Sequence, residues 1–175
     1  MSEKEEKDGR WAKQFGDFAE NLVMYVLGQL NDMSVALIDH VGADIIATKR
    51  YSPTEHYAIS VKGRNFPPTE GKSYTFTQRN IRKLEETTNE LFGDFIPAVA
   101  FVFVDEMEDN VKKIRIFTAE LADIKQMCDD PEVGFLNWVA DRMSFRYGES
   151  ARTTWLTEIK ECDRIDYFEL QFNCL

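Results

Sequence analysis

The chain has 175 residues, of which 43% are hydrophobic, 13% aromatic and 30% charged. A chain of this length hides roughly 70% of its unfolded surface, so one domain can close its core without a metal or disulfide staple, and the aromatic content excludes a disordered polymer. A formal net charge of −10 argues against a general nucleic-acid coat protein, whose affinity comes from Lys and Arg neutralising phosphates.

Cys128, Cys162 and Cys174 are odd in number and lack metal-ligand spacing, which predicts reduced thiols in a cytoplasmic protein. Met1–Lys7 is charged, so no secretory signal is expected there. The longest apolar run, Phe95–Val104, is about half the ~20 residues a membrane helix needs.

Residues 1–10 are expected to be a disordered tail. From Trp11 to Leu30, apolar positions at Trp11, Phe15, Phe18, Leu22 and Val26 predict an amphipathic helix, with Asn31-Asp32 as its stop. Gly16 and Glu20 lie one turn apart on the flank of its apolar stripe. Val35–Ile38, Ala43–Thr48 and Tyr57–Lys62 read as short strands, punctuated by Gly42 and Ser52-Pro53. Asn65–Lys72 reads as a loop, and Thr77 as the cap of a helix reaching about Leu91.

Ile96–Val104 is apolar and rich in β-branched residues, as a strand covered on both faces requires. Asp105–Asn110 is expected to turn the chain into a strand at Lys113–Phe117. Beyond it, Ala119–Cys128, Phe135–Met143 and Thr154–Cys162 read as helices, Phe145–Tyr147 as a strand, and Ile165–Phe172 as an edge strand. The expected architecture is α/β, a mixed central sheet flanked by helices, with an α+β extension at 119–175 packed on a core at 11–118.

Side chains alternate along a strand, so Ser60 and Lys62 share a face of the third strand. If the second strand pairs with the third, Asp44 sits beside them, and Glu20 can reach the same spot from the first helix. Carboxylates converging with a lysine have a chemical use. A hard cation such as Mg²⁺ takes a few carboxylate and carbonyl oxygens and leaves positions for water and phosphate. A nearby lysine can orient that water and offset charge on the phosphate.

Gly16–Glu20, Gly42-Ala43-Asp44-Ile45-Ile46-Ala47 and Tyr57-Ala58-Ile59-Ser60-Val61-Lys62 resemble the motifs of the PD-(D/E)xK nuclease superfamily, the fold of many restriction endonucleases and archaeal Holliday-junction resolvases. The likeness spans about residues 11 to 118. It implies a core of helix, three strands, helix and two strands, and a Mg²⁺- or Mn²⁺-dependent endonuclease acting on DNA. Asp44, Lys62, Glu20, Ser60 and Glu85 would form the catalytic set. Asp44, Glu20, Glu85 and the Val61 carbonyl would hold the metal, while Arg64, Lys72, Gln78, Arg79 and Arg82 would contact the nucleic acid. A homodimer is possible, because two strands are cut.

The chain departs from the pattern twice. Ala43 replaces a common proline, and Ser60 stands where a second metal-binding carboxylate is expected. Some members with serine there recruit a glutamate from the next helix, which implies Glu85, on one helical face with Gln78 and Arg82, or alternatively Glu86. The other implication is a nuclease fold that has lost catalysis and acts in nucleic-acid or protein binding. Each residue also has a plainer role: Glu20 and Glu85 as solvated helix charges, Asp44 in turn chemistry, Lys62 as a lysine snorkelling to water. His40 and His56 are too scattered for a zinc site.

Charge is unevenly distributed. Residues 40–84 carry +5, residues 1–39 carry −4, and residues 85–175 carry −11. A positive block containing Asp44 and Lys62 suits a phosphate-binding face, although charge runs are commonly just solvated surface. The acidic flanks leave a third reading, a DNA mimic that binds a basic partner.

Overall fold

The computed structural model describes residues 3–50, 53–66, 72–107, 111–150 and 153–173. Residues 67–71 of the expected loop, 108–110 of the expected turn, and Cys174 lie outside them. A helix, α1 (Glu3–Gly28), leads into β1 (Met33–His40), β2 (Ala43–Lys49), β3 (Glu55–Phe66) and β4 (Ser73–Thr77). Then follow α2 (Gln78–Thr87), a π-helical turn (Thr88–Phe92), β5 (Ile96–Glu106), β6 (Val111–Glu120) and α3 (Leu121–Asp129). The remainder is β7 (Leu136–Val139), β8 (Arg142–Arg146), the two-residue β9 and β10 (Glu149–Ser150, Thr153–Thr154), α4 (Trp155–Glu161) and β11 (Asp166–Asn173).

Six strands form the central sheet in the order β1-β2-β3-β5-β6-β11. Every neighbouring pair is antiparallel except β3 and β5, which run parallel. A parallel neighbour needs a crossover, and the segment carrying β4 and α2 supplies it. The fold is thus α/β with a mixed sheet flanked by helices, in the expected order of helix, three strands, helix and two strands, with β4 added.

The central strand β5 decides what each face can accept. Ala98, Ala100, Val102 and Val104 face α1, whose Ala19, Val23, Val26 and Leu27 complete an aliphatic layer with Ile45 and Ile59. Val99, Phe101 and Phe103 alternate to the other face. There Phe101 stacks on Phe145 at 5.2 Å between centroids, and Phe103 on Tyr147 at 4.7 Å. Large rings fill the wider gap to a three-stranded sheet, β4-β8-β7, and to α2, α3 and α4.

Three local expectations change. α1 begins at Glu3 and therefore includes part of the stretch read as a tail. Ser73–Thr77 is a strand, paired with β8 some seventy residues later; a strand that short shows only when its distant partner is known. Phe135–Met143 is not a helix but most of a hairpin, β7 paired with β8 from Leu136↔Phe145 to Val139↔Arg142. Apolar residues at Phe135, Val139 and Met143 imitate a helical stripe, but Ala140 takes a left-handed φ of 54° at the turn. The strand expected at Phe145–Tyr147 is present as the end of β8, at Phe145–Arg146. The C-terminal edge strand is as expected: β11 pairs antiparallel with β6.

Phe103 has no exposed surface and contacts rings from β3, β4, β6 and β8. Phe103→Ala is expected to lower the unfolding free energy by about 3–5 kcal/mol, read by urea denaturation.

Candidate metal-binding and catalytic site

The site begins at a two-residue hairpin turn. β1 and β2 close at His40↔Ala43, with Val41 and Gly42 between them. Gly42 has φ +107°, a region that favours glycine. It also lies close under the end of α2, where a Cβ would stand 2.7 Å from the Lys83 carbonyl oxygen and 2.6 Å from Thr87 Oγ1. Thr87 Oγ1 donates to the Val41 carbonyl, so the turn is docked on α2. Gly42 therefore does more than punctuate the strands; it lets the chain enter β2 against that helix, two residues before Asp44.

The β2–β3 ladder runs from Lys49↔Glu55 to Ile45↔Ile59. At the next residue the Asp44 side chain takes over, accepting the Val61 backbone N–H on Oδ2 at 2.6 Å. Ser60 Oγ donates to the same oxygen at 3.4 Å. Lys62 Nζ stands 3.7 Å from it and donates to the Val61 carbonyl at 2.9 Å. A charge-assisted bond of the Val61 type contributes about 1.5–3 kcal/mol, whereas the partly exposed Lys62–Asp44 pair contributes about 1 kcal/mol or less. The backbone bond thus fixes the carboxylate, and the ammonium follows it.

Two oxygens of different origin, a carboxylate and a main-chain carbonyl, share one positive charge here. Oxygen donors of this kind fit a hard cation completed by water and phosphate. Ser60, only 3% exposed, offers a hydroxyl in place of a second charge. Among the described residues, no group of three or more His, Cys, Asp or Glu side chains is placed to hold a metal ion.

The other expected residues are distributed as follows. Glu20 is half-buried on α1 beside Ala19. The helix comes close to the strand there: a Cβ at Gly63, next to Lys62, would lie 3.1 Å from Ala19 Cβ and 2.7 Å from Phe15. Glu85 is engaged by Lys125 of α3, a partner 40 residues away that its own helix gives no hint of. Arg64 lies over the Phe66 ring at 4.8 Å, and Lys72 Nζ over the same ring at 5.4 Å.

Lys72 also pairs at 3.0 Å with Asp105, a carboxylate 1% exposed that Arg115 and the Tyr147 hydroxyl, at 2.9 Å, hold as well. A buried carboxylate needs such partners, so Lys72 is first an internal counter-ion. Gln78 accepts from Arg82 at 3.2 Å, and with Arg79 both are exposed on the first turns of α2. Sequence reasoning missed the Val61 N–H, Lys125 and Asp105. Of these, only Asp105, an acid ending an apolar strand, carries a local signal.

A cavity of about 280 Å³ lies at the other end of β2 and β3, by Lys49 and Tyr57. Burial raises the Tyr57 hydroxyl above its usual pKa, helped by its bond to Glu55 at 2.8 Å. Burial also raises the Glu120 carboxyl, with Asp123 adding to the effect.

No protein-family model and no curated protein matches the chain. Among solved structures it is similar to Archaeoglobus fulgidus Hjc, a Holliday junction resolvase, at 15% sequence identity and TM-score 0.45, over 75% of this chain and 83% of that chain. Among the described residues, no helix is long and apolar enough to cross a membrane.

Gly42→Ala is expected to lower stability by about 2 kcal/mol or more, because a strained φ adds to a backbone collision. Thermal or chemical unfolding of the two proteins side by side measures this.

Proposed function

We propose that this chain is a metal-dependent nuclease that hydrolyses DNA phosphodiester bonds. The observation that supports this reading is the cluster where β2 leaves β3: Asp44 Oδ2 on the Val61 N–H, with Lys62 Nζ shared between that carboxylate and the Val61 carbonyl. The motifs around Gly42, Asp44 and Lys62, which resemble those of the PD-(D/E)xK superfamily, support the same reading.

Asp44 and the Val61 carbonyl would hold Mg²⁺ or Mn²⁺, with Glu20 as the further carboxylate. Glu85 would have to share its carboxylate with Lys125. A divalent cation held there would supply Lewis-acid polarisation of a phosphodiester and a more acidic water. Lys62 orients the attacking water through Nζ and offsets the charge that develops on the phosphate. Ser60 steadies the Asp44 carboxylate from its buried side. Arg79, Arg82 and Gln78, exposed on α2, and Arg64 would contact the backbone, a salt-sensitive contribution. Lys72 would take part only as far as Asp105 shares it.

A second reading, a nuclease fold without catalysis that binds nucleic acid or protein, is favoured by Ser60 in place of a carboxylate and by the Glu85–Lys125 pair.

Supercoiled and branched DNA incubated with the purified chain and Mg²⁺ or Mn²⁺ separates the two readings. Nuclease action predicts cleavage that Asp44→Asn and Lys62→Ala each slow by about 100-fold or more, the usual scale for losing an electrostatic catalytic group. Retained thermal stability would show that the variants fold. Absence of cleavage together with absence of a metal-dependent thermal shift would sink the nuclease reading and leave the binding module.

A further inference from the structure

The three-stranded sheet β4-β8-β7 has one face committed to the core. Tyr74, Phe76, Met143, Phe145, Leu136 and Trp138 pack there with the rings of β5. Side chains alternate along a strand, so the intervening residues make the opposite face. Register sets them in rows, with Thr75, Ser144 and Asn137 in one and Thr77, Arg142 and Val139 in the next. Ser73 pairs with Arg146 beyond them. Thr75, Arg142 and Val139, one from each strand, are exposed, so the face is open across its width.

The composition of this face runs against the rest of the chain. Residues 85–175 carry −11, yet β4, β7 and β8 contain arginines and no Asp or Glu. Strand propensity does not explain this, because β6 and β11 of the central sheet carry Glu120, Asp166 and Glu169. The cationic groups are also held in place. Arg146 Nη2 donates to Asn137 Oδ1 at 2.8 Å, and its guanidinium lies 5.4 Å from the centroid of the Trp155 ring. Both partners are neutral, so they leave its charge uncompensated. Arg142 meets the exposed Asp141 of the turn at 3.6 Å, a contact that solvent screens.

Position joins this face to the candidate site. The Gln78 N–H, at the start of α2, donates to the Asp141 carbonyl of the β7–β8 turn at 3.1 Å. At the other end of α2, Thr87 docks the Val41–Gly42 turn that leads into Asp44. The 10 residues of α2 span about 15 Å, and Arg79 and Arg82 are exposed along them. On β8, Arg142 and Arg146 are about 13 Å apart, roughly four base-pair steps of about 3.4 Å.

These side chains suit one kind of polyanion. A guanidinium presents a fork matched to phosphate oxygens, and Ser, Thr and Asn supply neutral donors that position a duplex. The residues of the face include no aromatic, so it lacks the stacking platform that single strands use.

We propose that the outer face of β4-β8-β7 docks the sugar-phosphate backbone of double-stranded DNA, with Arg142 and Arg146 as its phosphate contacts. The duplex would continue from this face along α2 toward Asp44. The choice of DNA as the polyanion rests on the nuclease reading of Asp44 and Lys62; the charge of the face does not.

Fluorescence anisotropy of a labelled blunt duplex tests this, using the full chain in EDTA, which holds metal-dependent cleavage off, over a series of salt concentrations. Arg142→Ala and Thr75→Glu, at exposed positions, should each weaken binding at least about fivefold, and Arg142→Ala should lower the salt slope by about one. Arg142→Ala combined with Arg146→Gln should lower it by about two. Gln14→Glu adds a charge to exposed α1, on the other side of the central sheet, and should bind as wild type does. Unchanged melting temperatures would show that the variants fold. A chain that binds no duplex overturns the proposal. Wild-type binding that the Thr75 and Arg142 variants retain also overturns it and leaves the nuclease reading standing. Weakening by Gln14→Glu equal to that by Thr75→Glu would reduce the effect to net charge and overturn the surface. Polyglutamate bound as tightly as the duplex, and weakened by the same variants, would overturn DNA as the partner. Duplex binding that these variants weaken, in a chain that cleaves nothing with Mg²⁺ or Mn²⁺, supports the surface and sinks the nuclease reading.

Discussion

Strand β5 is covered on both sides, and the alternation of its side chains organises the molecule. Small aliphatic residues on one side let α1 come close; phenylalanines on the other hold a second layer at a distance. A one-residue slip would exchange the faces, leaving rings under α1 and small residues facing the wide gap. The parallel pairing of β5 with β3 is continuous from Tyr57↔Ile96 to Phe66↔Asp105. β3 thereby keeps its pairing with β5 beyond the point where β2 leaves it.

That difference in length creates the candidate site. β2 pairs with β3 only as far as Ile45↔Ile59, and past this point the Val61 N–H would lack a main-chain acceptor on that side. Asp44 supplies one. A buried N–H left without a partner is costly, so the carboxylate is held by a backbone requirement, and its geometry does not depend on a flexible ion pair. Lys62, one residue further on, then meets two oxygens in fixed positions. Gly42 serves the same end from the other direction, since only a residue without a Cβ lets the hairpin turn sit under α2.

The overall charge of −10 and the local chemistry are compatible once the charges are placed. Of the basic residues in 40–84, Arg79 and Arg82 are exposed on α2, while Lys72 is drawn inward by Asp105 and Lys62 by Asp44. Part of the apparent positive block thus neutralises internal carboxylates and contributes less to an outer field than its count suggests. Acidic groups elsewhere would discourage contact with polyanions away from α2.

Much of this was legible in the linear pattern because the causes are local. The 3.6-residue stripe of α1, the apolar run of β5, the Thr77 cap, whose Oγ1 accepts from Asn80 N at 3.3 Å, and the alternation placing Ser60 with Lys62 depend on neighbours a few residues apart. Composition and charge likewise needed no fold. What tertiary structure alone decided rests on partners far along the chain. β4 exists because β8 pairs with it, and the stretch around Trp138 becomes a hairpin because that sheet offers it hydrogen bonds. Glu85 is tied to α3, and Lys72 to a carboxylate buried on β5. Side-chain type announces that an Asp, a Lys or a Glu can carry charge. Which opposite charge lies within reach is settled only when strands and helices distant in sequence are packed together.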